Sequence, residues 1–305
     1  MSIEPSTPAG ATDPFEAERP RLVGLAYRLL GSIADAEDVV QEAWIRWAGV
    51  DQAVIQRPAA WLTTVVSRIG LDRLRAAQRA RIEYVGPWLP EPLVEPMGAM
   101  AANDPERAAV LSDSLTTAFL VMLERLTPDE RLVVLLVDVF GESFATAAAA
   151  SGRTEESCRQ LAVRARRKLR TEVTHSPPAA REQLAIATAF VGAVMSGDMA
   201  AVMSMLTPDA VLISDGGPHR HAARRPVVGA PRVARFVVNI ARRVETASLH
   251  LDPVWVNGRP GVVMSVAGTP YMVTTVDVVD GKIDRYWSFL NPDKLLSIGR
   301  DLEIV

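Results

Sequence analysis

Through residues 14 to 84 the apolar positions recur every three or four residues, the period of helices that bury one face. Three helices are predicted: PFEAERPRLVGLAYRLLGS, DAEDVVQEAWIRWAGV and PAAWLTTVVSRIGLDRLRAAQRARIEY, with breaks at Gly31-Ser32 and from Asp51 to Pro58. In the second, Ala36, Val39, Val40, Ala43, Trp44 and Trp47 form the apolar stripe, and Asp35, Glu37, Asp38, Gln41 and Glu42 occupy the opposite face. In the third, Trp61, Val65 and Ile69 share one face beside Leu62, which favours a core role for Trp61 over a platform for stacking bases. The stretch GPWLPEPLVEPMGAMAANDP, residues 86 to 105, has five prolines and little periodicity, the composition of a linker.

Helical spacing resumes from about Glu106 to Thr171, interrupted at Leu126-Thr127-Pro128, and HSPP at 175–178 marks a second boundary. Beyond it the pattern changes. Two helical stretches, about 179–196 and 198–206, lead into VLISDGG and a helix at about 230–243. Runs rich in Val, Thr and aromatics follow: ASLHLDPVWVNG, GVVMSVAG, YMVTTVDVVDG and KIDRYWSFL, punctuated by Asn-Gly, Ala-Gly and Asp-Gly hairpin turns. Helices followed by an antiparallel meander predict a curved sheet with helices packed against it.

A net charge of −3 does not advertise nucleic-acid binding, but the charge is unevenly distributed. Arginines 68, 73, 75, 79 and 81 face only Asp72, and seven basic residues between Arg153 and Arg170 face only Glu155 and Glu156. Within 128–170 an apolar helix, an alanine-rich short helix, a Ser151-Gly152 turn and a long basic helix give the layout of a helix-turn-helix. Thr154 is positioned to cap the last helix, and Leu161, Ala165 and Leu169 form its inner stripe. Arg159 and Gln160 are then candidates to read base edges, and Arg164, Arg167 and Lys168 candidates for phosphates. Each charged face also has the plainer reading of a solvated surface. One cysteine, Cys158, excludes an intrachain disulfide and a cysteine-rich zinc site, and it reads as a small apolar helix residue. A start without a basic region and apolar core, and no long uncharged run, predict a cytoplasmic protein.

Taken in order, DAEDVVQEAWIRW, RPAAWLTTVVSRIGLDRLR, a proline-rich linker, LTPDERLVVLLVDVFGES and TEESCRQLAVRARRKLR resemble an extracytoplasmic-function sigma factor. WLPEP at 88–92, ISDGG at 213–217 and NPDKL at 291–295 resemble the subgroup with a fused SnoaL-like domain. The resemblance implies a multidomain chain. An all-α region 2 bundle (14–84) and an all-α region 4 helix-turn-helix (106–173), joined by a linker (85–105), are followed after 174–178 by an α+β SnoaL-like, NTF2-like cone (179–305) with a curved antiparallel sheet.

By that resemblance Asp35, Asp38, Gln41 and Glu42 contact the β′ clamp helices of core RNA polymerase, and the chain also meets the β flap. The loop from about Gly49 to Pro58, with the helix from Ala60 onward, recognises the −10 element, melting it by drawing a base from the stack, while Arg68, Arg73, Arg75 and Arg79 hold the backbone. The helix-turn-helix, with Thr154 at its cap, reads the −35 element. The linker threads between the modules; at roughly 3.3 Å per residue, its roughly twenty residues reach about 65 Å. No cofactor or metal and no separate anti-sigma factor are expected, because the extension regulates the sigma core itself.

In the linker, Trp88, Leu89 and Pro90 form an apolar knob, which the resemblance implies meets Asp215, Gly216, Gly217 and the Asn291, Pro292, Asp293, Lys294, Leu295 motif of the extension. The subgroup usually continues Asp-Gly-Gly with a glycine and a basic residue, where this chain has Pro218 and His219. Three readings of Asp215 stay open: a structural contact, ligand sensing in a cone pocket, or acid–base chemistry beside His219 and His221. These histidines lack a defined third metal ligand. The alternative for the whole chain is a SnoaL-type cyclase or isomerase, or a ligand sensor, tethered to a DNA-binding regulator.

Overall fold

In the computed structural model, residues 13–80, 84–97, 114–170, 180–243 and 248–298 are described. The expected helix start at Glu106 and the 174–178 boundary lie outside them.

Three helices open the chain: α1 (Pro14–Leu30), α2 (Ile33–Ala48) and α3 (Pro58–Ala80). Asp13 caps α1, and Gly31, at φ 72°, ends it in the left-handed conformation, so that Ser32 can cap α2 immediately. Among the described residues up to Arg170 four further helices follow: α4 (Thr117–Leu123), α5 (Pro128–Val134), α6 (Phe144–Ser151) and α7 (Glu155–Leu169). The Leu-Thr-Pro stop becomes a start, since Thr127 and Glu130 form a reciprocal capping box on α5. A π turn, Leu135–Val139, extends α5 toward the α6–α7 pair.

Two separable modules were expected, but their apolar faces share one continuous core. Leu25, Leu29, Trp47, Leu62 and Val66 from the first three helices cluster with Leu132, Leu136, Ala147 and Leu161 from the later ones. Trp61 joins that cluster, its ring 5.7 Å from Trp47, as its spacing predicts. Trp44 does not: it is 46% exposed beside Ile45, because the partner helices cover only the Ala36, Val39, Val40, Ala43 and Trp47 side of α2. Cys158 is buried as an apolar helix residue.

The last domain packs α8 (Ala180–Ser196), α9 (Met199–Ser204) and α10 (Ala230–Ala241) on one face of a seven-stranded sheet. Its strands are β1 (Val94–Pro96), β2 (Leu206–Asp215), β3 (Val227–Val228), β4 (Leu249–Val256), β5 (Arg259–Val266), β6 (Thr269–Val279) and β7 (Lys282–Phe289), in the order β1-β4-β5-β6-β7-β2-β3. The Asn257-Gly258, Ala267-Gly268 and Asp280-Gly281 turns all have positive φ at both residues, which matches the right-handed twist of the flanking strands.

Two expectations need correction. The sheet is mixed, because β2 runs parallel to β7, its return crossing through α10. The proline-rich stretch is also not a free tether over its described part: Val94, Glu95 and Pro96 pair antiparallel with Val256, Trp255 and Val254 at the sheet edge. Pro96 is tolerated there because an edge strand leaves one side of its backbone unpaired.

Candidate functional site

On α2, Asp35, Asp38 and Gln41 are exposed and Glu42 is half-buried, so the acidic face is open to a partner. The basic α3 lies beside it. Arg73 reaches Asp38 at 3.3 Å and Glu42 at 3.6 Å, while Glu42 also accepts from Arg46 at 2.7 Å. The remaining α3 arginines point elsewhere. Arg68 donates to the Ala149 carbonyl of α6 at 2.7 and 3.0 Å, Arg75 pairs with Asp129 at 3.0 Å and with Asp72 at 3.3 Å, and Arg79 is exposed.

Asp129 also takes two bonds of 3.0 Å from Arg153, making a clamp between α3 and the helix-turn-helix. Burial pushes its carboxyl up, but Arg153 and Arg75 outweigh that and hold it below the ordinary aspartate range. The buried Arg131 donates to the Arg28 carbonyl at 2.8 Å, joining the two helical groups beneath the clamp. Arg28 is buried as well, which lowers its guanidinium to about 10.

Thr154 caps α7 by accepting from Ser157 N at 3.2 Å. Arg159 pairs with Glu155 at 2.8 Å and lies over Phe144, and Gln160 donates to Glu156 at 3.4 Å. Lys168 reaches back to Glu130 at 2.7 Å, and Arg166 holds Asp138 with bonds of 2.5 and 2.9 Å. Arg164 and Arg167 are exposed and form no ion pair with a described residue.

The three short motifs converge on Asp215, which is 1% exposed. Its carboxylate accepts from Tyr84 Oη (2.6 Å), Leu89 N (2.9 Å), Gly217 N (3.0 Å) and Lys294 Nζ (2.7 Å). Lys294 also donates to the Leu89 carbonyl and sits 4.1 Å from the centre of the Trp88 ring. Asn291 donates to Tyr84 Oη at 2.9 Å and caps Asp293, while Leu290 N and Asn291 N both donate to the Asp215 carbonyl. A Cβ on Gly217, at φ 57°, would lie 2.6 Å from Asn291, so only glycine fits that seat. Gly216 accepts at its carbonyl from Arg220 N, and Pro292 opens the short 3-10 turn that carries Lys294. Leu89 and Leu295 are buried together against the sheet. Burial and the Asp215 carboxylate both raise the Tyr84 hydroxyl far above its ordinary value.

Further contacts bind this centre to the first helices. Glu91 Oε2 accepts from Ile33 N at 2.7 Å, and burial pushes the Glu91 carboxyl up. Tyr27 Oη donates to the Glu91 carbonyl at 2.6 Å and accepts from Asn257 Nδ2 at 2.9 Å. Asn257 Oδ1 accepts from Leu93 N at 3.3 Å. Tyr84, Tyr27, Asn257 and Asp129 were not singled out from the sequence; Asn257 had a signal as a turn residue only, and Tyr84 had none. His219 faces Asp293 at 3.5 Å, not Asp215, and no group of metal-ligating side chains forms among the described residues. A cavity of about 460 Å³ opens at this junction, between Ser32, Asp35, Tyr84, Trp88, Glu91 and Lys294.

The Sigma-70 region 2 family matches residues 15–80, and the Sigma-70 region 4 family matches residues 116–169. The ECF RNA polymerase sigma factor SigJ of Mycobacterium tuberculosis is 39% identical, over 92% of this chain and 91% of that protein. This chain belongs to the extracytoplasmic-function sigma factors. It is a transcription initiation factor, not an enzyme. The probable ECF sigma factor SigI of the same species is 31% identical to it, over 92% of this chain and 93% of that one. The crystal structure of M. tuberculosis SigJ superposes with a TM-score of 0.72, covering 94% of this sigma factor and 98% of that chain. That likeness extends through the α+β domain, so the fused extension belongs to the shared architecture.

Proposed function

We propose that this sigma factor is held in a packed resting state by its own C-terminal domain and reads promoters once region 2 and region 4 part. One observation carries the reading: the four-donor seat of Asp215 ties the segment between the two sigma regions to the extension. In this state Arg68 and Arg75, proposed backbone contacts for the −10 element, are occupied by region 4. Arg73 is occupied by the acidic helix. Binding of Asp35, Asp38, Gln41 and Glu42 to the β′ clamp helices competes for Arg73 and frees it for DNA. Region 4 then engages the β flap and the −35 element, with Thr154, Arg159 and Gln160 toward the bases. Arg164, Arg167 and Lys168 face the phosphates and Arg79 the −10 backbone.

The extension stands in for a separate anti-sigma protein and acts in the cytoplasm, where polymerase is. Among the described residues no helix is long and apolar enough to cross a membrane. A small ligand that altered the packing at the junction cavity would shift the balance between states.

The test is transcription by core polymerase on a promoter library, with the full chain and with truncations ending near Ser176 and just before Asn291. Unchanged output from both truncations defeats the regulatory reading. The double variant Asp38→Arg, Glu42→Arg is expected to lose core binding while the separate DNA-binding regions keep their affinity. If polymerase binding survives, the docking face lies elsewhere.

A further inference from the structure

From Gly216 to Arg243 the sequence carries seven arginines, two histidines and not one Asp or Glu, in a chain whose net charge is −3. Folding gathers three of these arginines on one face of a helix. Pro231, Arg232, Arg235, Asn239 and Arg242 are exposed on α10 or at its end, while Val233, Ala234, Val237 and Val238 are buried against the sheet. Positions 232, 235, 239 and 242 are spaced three, four and three residues apart, which is one helical stripe. At about 1.5 Å per residue the stripe runs about 15 Å, the axial length of about four base pairs at about 3.4 Å each.

Arg224 and Arg225 are exposed on the preceding loop. None of these arginines forms an ion pair with a described residue. Asp198, beside Arg242 at the cap of α9, accepts from Ala201 N instead. Arg220 is different, because it stacks on Tyr271 and donates to its carbonyl.

The loop also lies against the segment that follows α3 in the chain. A Cβ on Gly86, six residues beyond the end of α3, would lie 3.5 Å from Arg224 Cα. Val85, Gly86, His221 and Arg224 share a cleft of about 110 Å³. The Val85–Gly86 segment that follows α3 in the chain therefore lies against the Arg224 side of this loop, and Arg79 in the last turn of α3 is exposed.

We propose that the C-terminal domain has its own surface for the phosphate backbone of duplex DNA, formed by Arg224, Arg225, Arg232, Arg235, Asn239 and Arg242. The inference rests on the sigma regions being DNA-binding, since this surface would add to their affinity. Guanidinium groups that form no ion pair with a described residue suit phosphate oxygens, and a stripe with no base-reading constraint adds affinity without sequence preference. The stripe lacks the aromatic and leucine anchors of a helix that lies on a membrane.

The test measures binding of the full chain to a labelled mixed-sequence duplex across a salt series. The variant R224Q/R225Q/R232Q/R235Q is expected to bind more weakly and to flatten the slope of log K against log salt by about 3 to 4, at about 0.9 per lost phosphate contact. Changing the same four to lysine keeps the slope, and the pairs R224Q/R225Q and R232Q/R235Q each take about half of the change, which guards against a folding defect. R164Q/R167Q on α7 runs in parallel. If it weakens binding while the four-arginine variant leaves affinity and slope unchanged, the proposed surface is a solvated face and the promoter-reading function stands. If neither variant changes binding, both readings fail. Loss of core-polymerase binding, or of binding to phosphatidylserine vesicles, at an unchanged DNA slope assigns the surface to another partner and overturns the proposal.

Discussion

Distant parts of the chain are tied together at two places by opposite physics. At the Asp215 seat, carboxylate and ammonium are almost out of water, the side chains 0% and 13% exposed, and every oxygen of the carboxylate is met by donors. At the Asp129 clamp, Arg75 and Arg153 are 39% and 42% exposed, and their charges are shared with solvent. A buried, fully bonded pair is costly to break, because removing one partner strands the other. An exposed pair is cheap to break, being screened by ions and weakened by side-chain entropy. Over their shared core the two sigma regions thus carry a surface clamp that is cheap to break, while the extension is anchored by a pair that is not.

The largest effect expected is from Asp215→Ala, which leaves Lys294, Tyr84 and Leu89 N without their acceptor and costs about 3–5 kcal/mol in urea unfolding. A loss under 1 kcal/mol, of the order of an exposed pair, would erase the contrast between the two places. Next comes Asn257→Ala, which removes bonds to Tyr27 and Leu93 in a buried site and costs about 1–3 kcal/mol. It should loosen the sheet edge at β1, read as faster amide exchange at Leu93. Protection equal to wild type there would show that the edge strand is held by other contacts.

Arg153→Ala is expected to cost about 1 kcal/mol or less, yet to lengthen the distance between dyes on α3 and α7. Raising salt in the wild-type protein should open that distance and leave Asp215 in place, because at about 1 M the Debye length is only about 3 Å. Equal salt sensitivity at both places contradicts the comparison.

The smallest effect is with pH, and it has opposite signs at the two places. Asp129 has a lowered folded-state pKa, so its contribution is complete above the ordinary aspartate value and is lost as pH falls through the lowered one. Glu91, raised mainly by burial, contributes most below the ordinary glutamate value and progressively less as pH rises through its raised pKa. Dye distances followed from neutral to acid pH should therefore report clamp opening that Asp129→Asn abolishes. An acid-induced opening that persists in Asp129→Asn assigns it to another group.

What could be read in advance followed from local rules. The helix pattern, the Thr154 cap, the core position of Trp61 and the three glycine turns depend on spacing and backbone preference, which act within a few residues. Trp44 misled because periodicity gives the centre of an apolar face but not its width, which the packing partner decides. The motifs around Asp215 were legible from the resemblance, but the ion pair with Lys294 was not, because 79 residues separate the two. The basic stripe on α10 went unread for a different reason: its arginines are scattered among apolar residues, and only the helix gathers them on one side.

By itself the sequence determined the order of elements, the contrast of the acidic α2 with the basic α3, and the family. All of these are encoded in neighbours along the chain. Tertiary structure alone decided that the two sigma regions share one core, that the supposed linker lends a strand to the far domain, and which arginines are engaged. Those outcomes depend on which distant surfaces exclude water together, a property no local pattern carries.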